Sequence, residues 1–514
     1  MRTHVVYNDL VPVSHEVRGI VNVPRYGQVL YRKQALGEHF RAACTATPGV
    51  DFSALTAPAD ATAFHDLLVA RGEDDPTRYV FVGANLGFLS ARQFQIFLQK
   101  VSTVGRALFC QARADGRFLP LVVCGRRQLL GFLAGSTDPT FATIDPTSTR
   151  IDRYEILGNE GYLVDLSGYL DFVTFLQSSY EVRFFNRIVE EDRFVVKISS
   201  DVEKIEREYR YHAFVPPRMR CFFLGAFDFE KSADRASYKM ERLRLPDLAT
   251  LWLHGALSPK DFAQLLDAVF TFLDLRERKA VPPEVARARM RQLYVDKVRE
   301  RIEQLRSLDV CEGVDSLLRR HTPHGSLDAV VERYLGLYQR HVQRDVPAEL
   351  AFSHGDLCFS NILYDKRLDL LKLIDPRGAD DADEAYLDPL YDIAKLSHSI
   401  FGLYDALNNG QFRLELGGDL RLGLMVDCPP LPEGARDAFA ARLAQRGLSL
   451  RNVRILEASL FLSMLPLHAD NPRKLLALLL NGVAILDAVA DGRFDGTGPQ
   501  AVDVSRVVVA ASGR

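Results

Sequence analysis

Three things are scarce in this chain of 514 residues: paired cysteines, long apolar runs, and an excess of charge of either sign. Cys44, Cys110, Cys124, Cys221, Cys311, Cys358 and Cys428 are scattered, and no two make a Cys-x-x-Cys pair. That spacing excludes a zinc ribbon and a disulfide framework as organising features. No segment approaches the roughly 20 apolar residues needed to cross a bilayer. The most apolar stretch, Leu475 to Val489, is interrupted by Asn481, Gly482 and Asp487, and reads as a buried helix. Met1 to Asp9 holds no apolar core of signal-peptide length, so the expected location is the cytoplasm. Lys and Arg total 64 against 67 for Asp and Glu, which leaves a net charge of -3. So even a balance offers no general basis for binding nucleic acid or an anionic membrane.

The remaining composition, 47% hydrophobic and 25% charged, is that of a globular chain, and the length suits two or three domains. Residues 1–150 alternate short apolar runs with helical spacing. Tyr79–Val82 and Leu119–Val123 read as buried strands, and Leu89–Val101 as a helix, so an α/β domain is expected. The stretches Gly135–Thr140 and Asp145–Thr149 have the turn chemistry of a linker. Between 151 and 245 the pattern becomes strand-rich. Arg183–Val189 and Phe194–Ile198 read as a hairpin, Ser199-Ser200-Asp201 offers a cap for a helix from Val202 to about Phe214, and Tyr238–Leu243 reads as a further strand. From 246 to 514 helical patterns dominate, including Pro259–Arg278 and Pro283–Leu308.

Within the helical part lies His354-Gly355-Asp356-Leu357-Cys358-Phe359-Ser360-Asn361. It keeps the spacing of the protein-kinase catalytic loop, H-R-D-L-x-x-x-N, with Gly in place of Arg. The spacing has a chemical reason. A carboxylate must lie beside the accepting hydroxyl, and an amide oxygen from the same loop must reach a magnesium ion on the phosphates. Asp356 and Asn361 suit those roles. The following Ile362–Tyr364 and Leu370–Ile374 read as a hairpin that returns the chain to Asp375, a second oxygen donor for a hard cation.

With His354-Gly355-Asp356, Asn361 and Ile374-Asp375 in place, the sequence resembles the aminoglycoside phosphotransferase and choline kinase superfamily. The resemblance covers roughly residues 175 to 410. It implies an α/β N-terminal domain followed by an α+β two-lobed protein-kinase-like domain, with lobes over 151–245 and 246–514. It also implies ATP, Mg2+ and transfer of the γ-phosphoryl group to a hydroxyl of a small molecule: a sugar, sugar phosphate or amino alcohol. Lys197 would hold the phosphates. Glu208 would hold that lysine, with Glu206 as the alternative. The backbone of Met240-Glu241-Arg242-Leu243 would pair with adenine at the linker between lobes. No Gly-rich loop precedes Lys197; the candidate phosphate turn contains Ser178 and Ser179. Asp392 is expected as an N-cap and loop brace, His354 as a structural histidine, and Cys358 and Trp252 as core. Asp380, Asp381, Asp383 and Glu384 read as a solvated loop, in a position that also suits a cationic or polyhydroxy acceptor.

Tyr169 to Lys197 and Lys204 to Tyr209 look like bacterial surface-polysaccharide proteins that join a nucleotidyltransferase-like domain to such a kinase. The resemblance implies a degenerate nucleotidyltransferase-like domain at 1–150, a role in capsule or surface-polymer synthesis, and association with polysaccharide-synthesis enzymes. Gly355 and the missing Ala-Pro-Glu element disfavour a protein kinase. The alternative reading is a kinase fold that holds a nucleotide or glycan intermediate without turnover.

Overall fold

The computed structural model describes residues 2–112, 116–135, 144, 146, 151, 153–159, 161–178, 186–190, 193–418, 420–429 and 431–494. The chain divides into two units, Met1–Glu181 and Val182–Arg514. The expected boundary near 150 therefore moves. Residues 151–181 belong with the first unit, because Tyr154–Gly158 pairs with Ala107–Gln111 and Leu163–Asp165 pairs with Leu86–Phe88. Most of the proposed linker at 135–149 lies outside the described residues.

The first unit is α/β, as the sequence predicts. Its six-stranded sheet runs in the order Val50–Leu55, Thr3–Asn8, Arg78–Gly83, Phe118–Gly125, Ala107–Gln111, Tyr154–Gly158. Thr3–Asn8 is parallel to both of its neighbours, whereas Phe118–Gly125 is antiparallel to both of its own. Thr3–Asn8 and Arg78–Gly83 are buried throughout. This fits their apolar runs, since a strand covered on both faces need not alternate.

The second unit begins with a four-stranded antiparallel sheet in the order Asn186–Glu190, Phe194–Ser199, Ala236–Glu241, Ala226–Lys231. The helix Val202–Phe214 lies against it, with Ile205 packed on Ala236, Tyr238 and Met240. Asp201 caps that helix by accepting from the Lys204 N–H at 3.2 Å. The rest is mainly helical. Leu450–Met464 and Pro472–Ala490 form its buried centre, in agreement with the apolar stretch at 475–489. Two helices differ from expectation. Pro283–Leu308 is interrupted by a π-turn at Gln292–Asp296. The helix from Pro259 stops at Leu275, because Arg276 leaves it to donate to Pro389 O at 3.0 Å and to Asp392 Oδ2 at 3.2 Å.

Candidate active site

The site is assembled by short-range chain geometry. Strand Glu349–Phe352 leads into the loop at His354, and Gly355 takes φ +78°. An L side chain is strained at that angle, and a Cβ there would lie 2.6 Å from the Arg377 Cβ. The loop is braced from below. Asp392, in the first turn of the helix Leu390–Ile400, accepts from the His354 and Gly355 N–H groups at 3.0 and 2.8 Å. Arg276 neutralises Asp392 in turn. The brace role of Asp392 holds, but its N-cap role does not: Asp392 lies inside the helix, and Asp388 accepts from the Leu390 N–H.

His354 is structural, as expected. Its ring is fully buried, with Nε2 2.9 Å from the Ile374 carbonyl and Nδ1 accepting from the Asp356 N–H at 3.2 Å. Those partners require the neutral tautomer with hydrogen on Nε2. Burial pushes its pKa below the usual imidazole range. Cys358 is buried, and burial pushes its thiol up, so it is no nucleophile. Trp252 is core: it packs on Phe262 and, edge-on, on Phe359 of the loop.

The hairpin Ile362–Asp365 and Leu370–Leu373 closes with Ile374 N–H donating to Asn361 O at 3.0 Å. That bond sets Asp375 beside Asn361, as the sequence predicts. Asp375 takes φ +55°, a left-handed conformation uncommon outside glycine. The Asn361 amide donates to Asp356 O at 2.8 Å and to Asp356 Oδ2 at 3.2 Å, which leaves its own oxygen directed elsewhere. Among the described residues no cluster of three or more His, Cys, Asp or Glu forms a metal cage. One carboxylate and one amide oxygen nonetheless fit magnesium, which takes few protein ligands and completes its shell with phosphate and water.

Lys197, on the strand Phe194–Ser199, reaches into this centre. Its Nζ donates to Glu208 Oε2 at 2.5 Å and to Asp375 Oδ1 at 2.9 Å. Lys197 and Glu208 are buried, at 6% and 4% side-chain exposure. Burial drives the ammonium toward neutrality, but the two carboxylates prevail and hold it charged. The lysine partner is therefore Glu208. Glu206, at 19% side-chain exposure, is paired with Lys231 and Arg210 instead. Gly378 takes φ +80°, and a Cβ there would lie 3.0 Å from the Arg207 and Glu208 backbone, beside the bond that the Ala379 N–H donates to Arg207 O at 3.1 Å.

The sequence reading missed Lys395. Its Nζ lies 2.8 Å from Asp356 Oδ1. Burial pushes the Asp356 carboxyl up, but the Lys395 ammonium outweighs it and brings the pKa down to about 2. One signal was available: Lys395 stands three residues after Asp392, on the helix already identified as the brace.

One expectation is corrected. Ser178 closes the helix Tyr169–Gln177 of the first unit, donating to Phe175 O at 2.6 Å, with the Tyr31 hydroxyl 3.2 Å away, so it caps a helix and is not a phosphate turn. Ser179 lies outside the described residues. Met240 and Glu241 end the strand Ala236–Glu241, paired with Val195 and Phe194, and the Arg242 N–H continues the ladder by donating to Arg193 O at 3.0 Å. The acidic loop is exposed, as the sequence predicts for a solvated loop. Asp380 and Glu384 pair with Arg207, and Asp383 pairs with Lys279.

No protein-family model matches the sequence, and no curated protein matches it. Solved structures similar to the chain include aminoglycoside phosphotransferases and a choline kinase. A thermostable mutant of the aminoglycoside phosphotransferase APH(4)-Ia, in its apo form, is 13% identical with a TM-score of 0.35, over 60% of this chain and 94% of that one. The aminoglycoside phosphotransferase APH(3'')-Id from Streptomyces rimosus, in complex with ADP and streptomycin, is 18% identical with a TM-score of 0.32, over 58% and 97%. Choline kinase from Cryptosporidium parvum is 12% identical with a TM-score of 0.27, over 61% and 88%.

Proposed function

We propose that the second unit is an ATP-dependent phosphotransferase that moves the γ-phosphoryl group to a hydroxyl of a small molecule. The observation that carries this reading is the bridge of Lys197 Nζ between Glu208 and Asp375, with Asp356 and Asn361 on the adjoining loop. A structural ion pair has no need of this full set. Phosphoryl transfer needs each member: a fixed cation for the phosphates, two oxygen donors for magnesium, and a carboxylate at the acceptor.

In this reading Lys197, held by Glu208, aligns the phosphates, and Asn361 and Asp375 hold magnesium. Bound there, magnesium would neutralise charge on the phosphate oxygens. Asp356 accepts a hydrogen bond from the acceptor hydroxyl and orients its oxygen toward the γ-phosphorus. The new oxygen–phosphorus bond forms as the bond to the β–γ bridging oxygen breaks, and ADP leaves with that electron pair. The hydroxyl proton passes to Asp356 and on to solvent. A carboxyl held near pKa 2 is a weak base, so Asp356 orients first and takes the proton late. Most of the rate gain then comes from positioning and charge stabilisation. Adenine would meet the backbone of Met240 to Leu243, where the strand ends. The setting in surface-polymer synthesis, with a nucleotidyltransferase-like first unit, rests on sequence resemblance.

The test is incubation with Mg-ATP and a panel of sugars, sugar phosphates and amino alcohols, together with a thermal-shift titration of ATP with and without magnesium. Magnesium-dependent stabilisation plus a phosphorylated product supports the reading. Nucleotide binding that ignores magnesium, with no product from any acceptor, supports the non-catalytic alternative.

A further inference from the structure

Around Asp356 the helical part of the second unit presents cations that phosphate alignment by Lys197 does not require. Lys395 lies on Asp356 itself. Tyr391, one turn earlier on the same helix, is buried and accepts from Lys297 Nζ at 3.0 Å. The Arg377 guanidinium lies 5.9 Å from the centre of the Tyr391 ring. Its backbone N–H donates to His354 O at 2.9 Å, which ties it to the loop that carries Asp356. Burial would raise the Tyr391 phenol, yet Lys297, Lys395 and Arg377 together bring it down to about 8.

Of these three cations only Lys395 has a carboxylate partner among the described residues. Asp296, next in sequence to Lys297, is paired with Arg291. Near Arg377 in sequence, Asp375 is engaged by Lys197, Asp380 and Glu384 by Arg207, Asp383 by Lys279, and Asp381 by the Glu384 N–H. Three cations therefore gather around Tyr391, and Asp356 pairs with one of them. Such a surface repels an ammonium-bearing acceptor and attracts an anionic one.

We propose that the acceptor is an anion, a hydroxyl compound that also carries a phosphate or a carboxylate, and that Arg377 and Lys297 bind this second group while Asp356 faces the hydroxyl. The proposal rests on the phosphotransferase reading and narrows it: sugar phosphates and sugar acids are favoured, and amino alcohols and aminoglycosides are excluded. Arg suits the role, because its planar fork meets a carboxylate or phosphate with two parallel hydrogen bonds. Tyr391 acts as the floor that spaces Lys297 from Arg377.

The experiment measures affinity by calorimetry on the full chain with four probes, glucose 6-phosphate, gluconate, glucose and ethanolamine, each in saturating Mg-AMP-PNP. Affinity for Mg-AMP-PNP is measured separately. At least one anionic probe is expected to bind on the order of tenfold or more tighter than glucose, with ethanolamine weakest. The two anionic arms separate phosphate from carboxylate. Arg377→Ala and Lys297→Met should each remove about tenfold of that affinity and leave Mg-AMP-PNP affinity unchanged. Equal affinity for all four probes, or a preference for ethanolamine, overturns the proposal. So does a loss of Mg-AMP-PNP affinity in the two variants, which would make the cluster part of the nucleotide grip. If the anion preference persists while Mg-AMP-PNP fails to bind, the phosphotransferase reading falls and the anion site stands.

Discussion

Lys395 and Asp356 form an ion pair of 2.8 Å between the helix Leu390–Ile400 and the loop that carries the proposed catalytic carboxylate. The Asp356 carboxyl, held to about 2, stays ionised over the whole working range. A depressed acid stabilises the fold above its unfolded pKa and loses that stabilisation as pH falls toward 2. In Lys395→Met the largest opposing charge is gone, so burial, now countered chiefly by His354 and Lys297, raises Asp356 from that value. The acid limb of the kcat profile should then move upward, with kcat lowered about tenfold or more near neutrality. Lys395→Arg should retain most of the low-pH activity. A profile unchanged in Lys395→Met would show that the pair is only structural.

Glu208 and Glu206 differ in burial, and their variants should differ accordingly. Glu208→Ala leaves the Lys197 ammonium buried with one partner, Asp375, and should cost about 3–5 kcal/mol. Glu206→Ala removes surface pairs to Lys231 and Arg210 and should cost about 1 kcal/mol or less. Denaturant melts of both variants check the order. Equal losses would remove Glu208 from its assigned role.

Gly355→Ala meets two obstacles, φ +78° and an Arg377 Cβ at 2.6 Å. The conformation alone costs roughly 1–2 kcal/mol, and the close approach adds to it. A lower melting temperature and a larger loss in kcat than in nucleotide affinity are expected, because the displaced loop carries Asp356. A variant with unaltered stability would mean that the loop has another conformation.

Asp405 is buried, and burial raises its carboxyl to about 7. The sign is the reverse of the usual one for an acid. Its contribution to stability is complete below the unfolded value near 4 and declines as pH rises toward 7. Asp405→Asn should raise the melting temperature at pH 8 by more than at pH 5, with a difference of at most a few kcal/mol. Melts at the two pH values decide it; an equal effect at both would contradict the assigned pKa.

The parts of the site legible in the sequence are those fixed by local periodicity. Asp356 and Asn361 share one loop, the hairpin pairing of Ile362 with Leu373 carries the chain to Asp375, and Glu208 falls between Ile205 and Tyr211 on the buried face of its helix. The parts that were not legible are set by distant packing. Arg276 meets Asp392 across 116 residues, and Lys297 meets Tyr391 across 94. No local pattern marks either pair. Ser178 was misplaced for the same reason, since the pairing of Tyr154–Gly158 with Ala107–Gln111 keeps the following segment in the first unit.

The central claim is tested most directly by Asp356→Asn, assayed for phosphoryl transfer from γ-labelled Mg-ATP to the best acceptor, alongside Mg-AMP-PNP affinity. The account predicts a loss in kcat on the order of 10²-fold or more, with nucleotide affinity retained. Turnover that survives the substitution at near wild-type rate would contradict it.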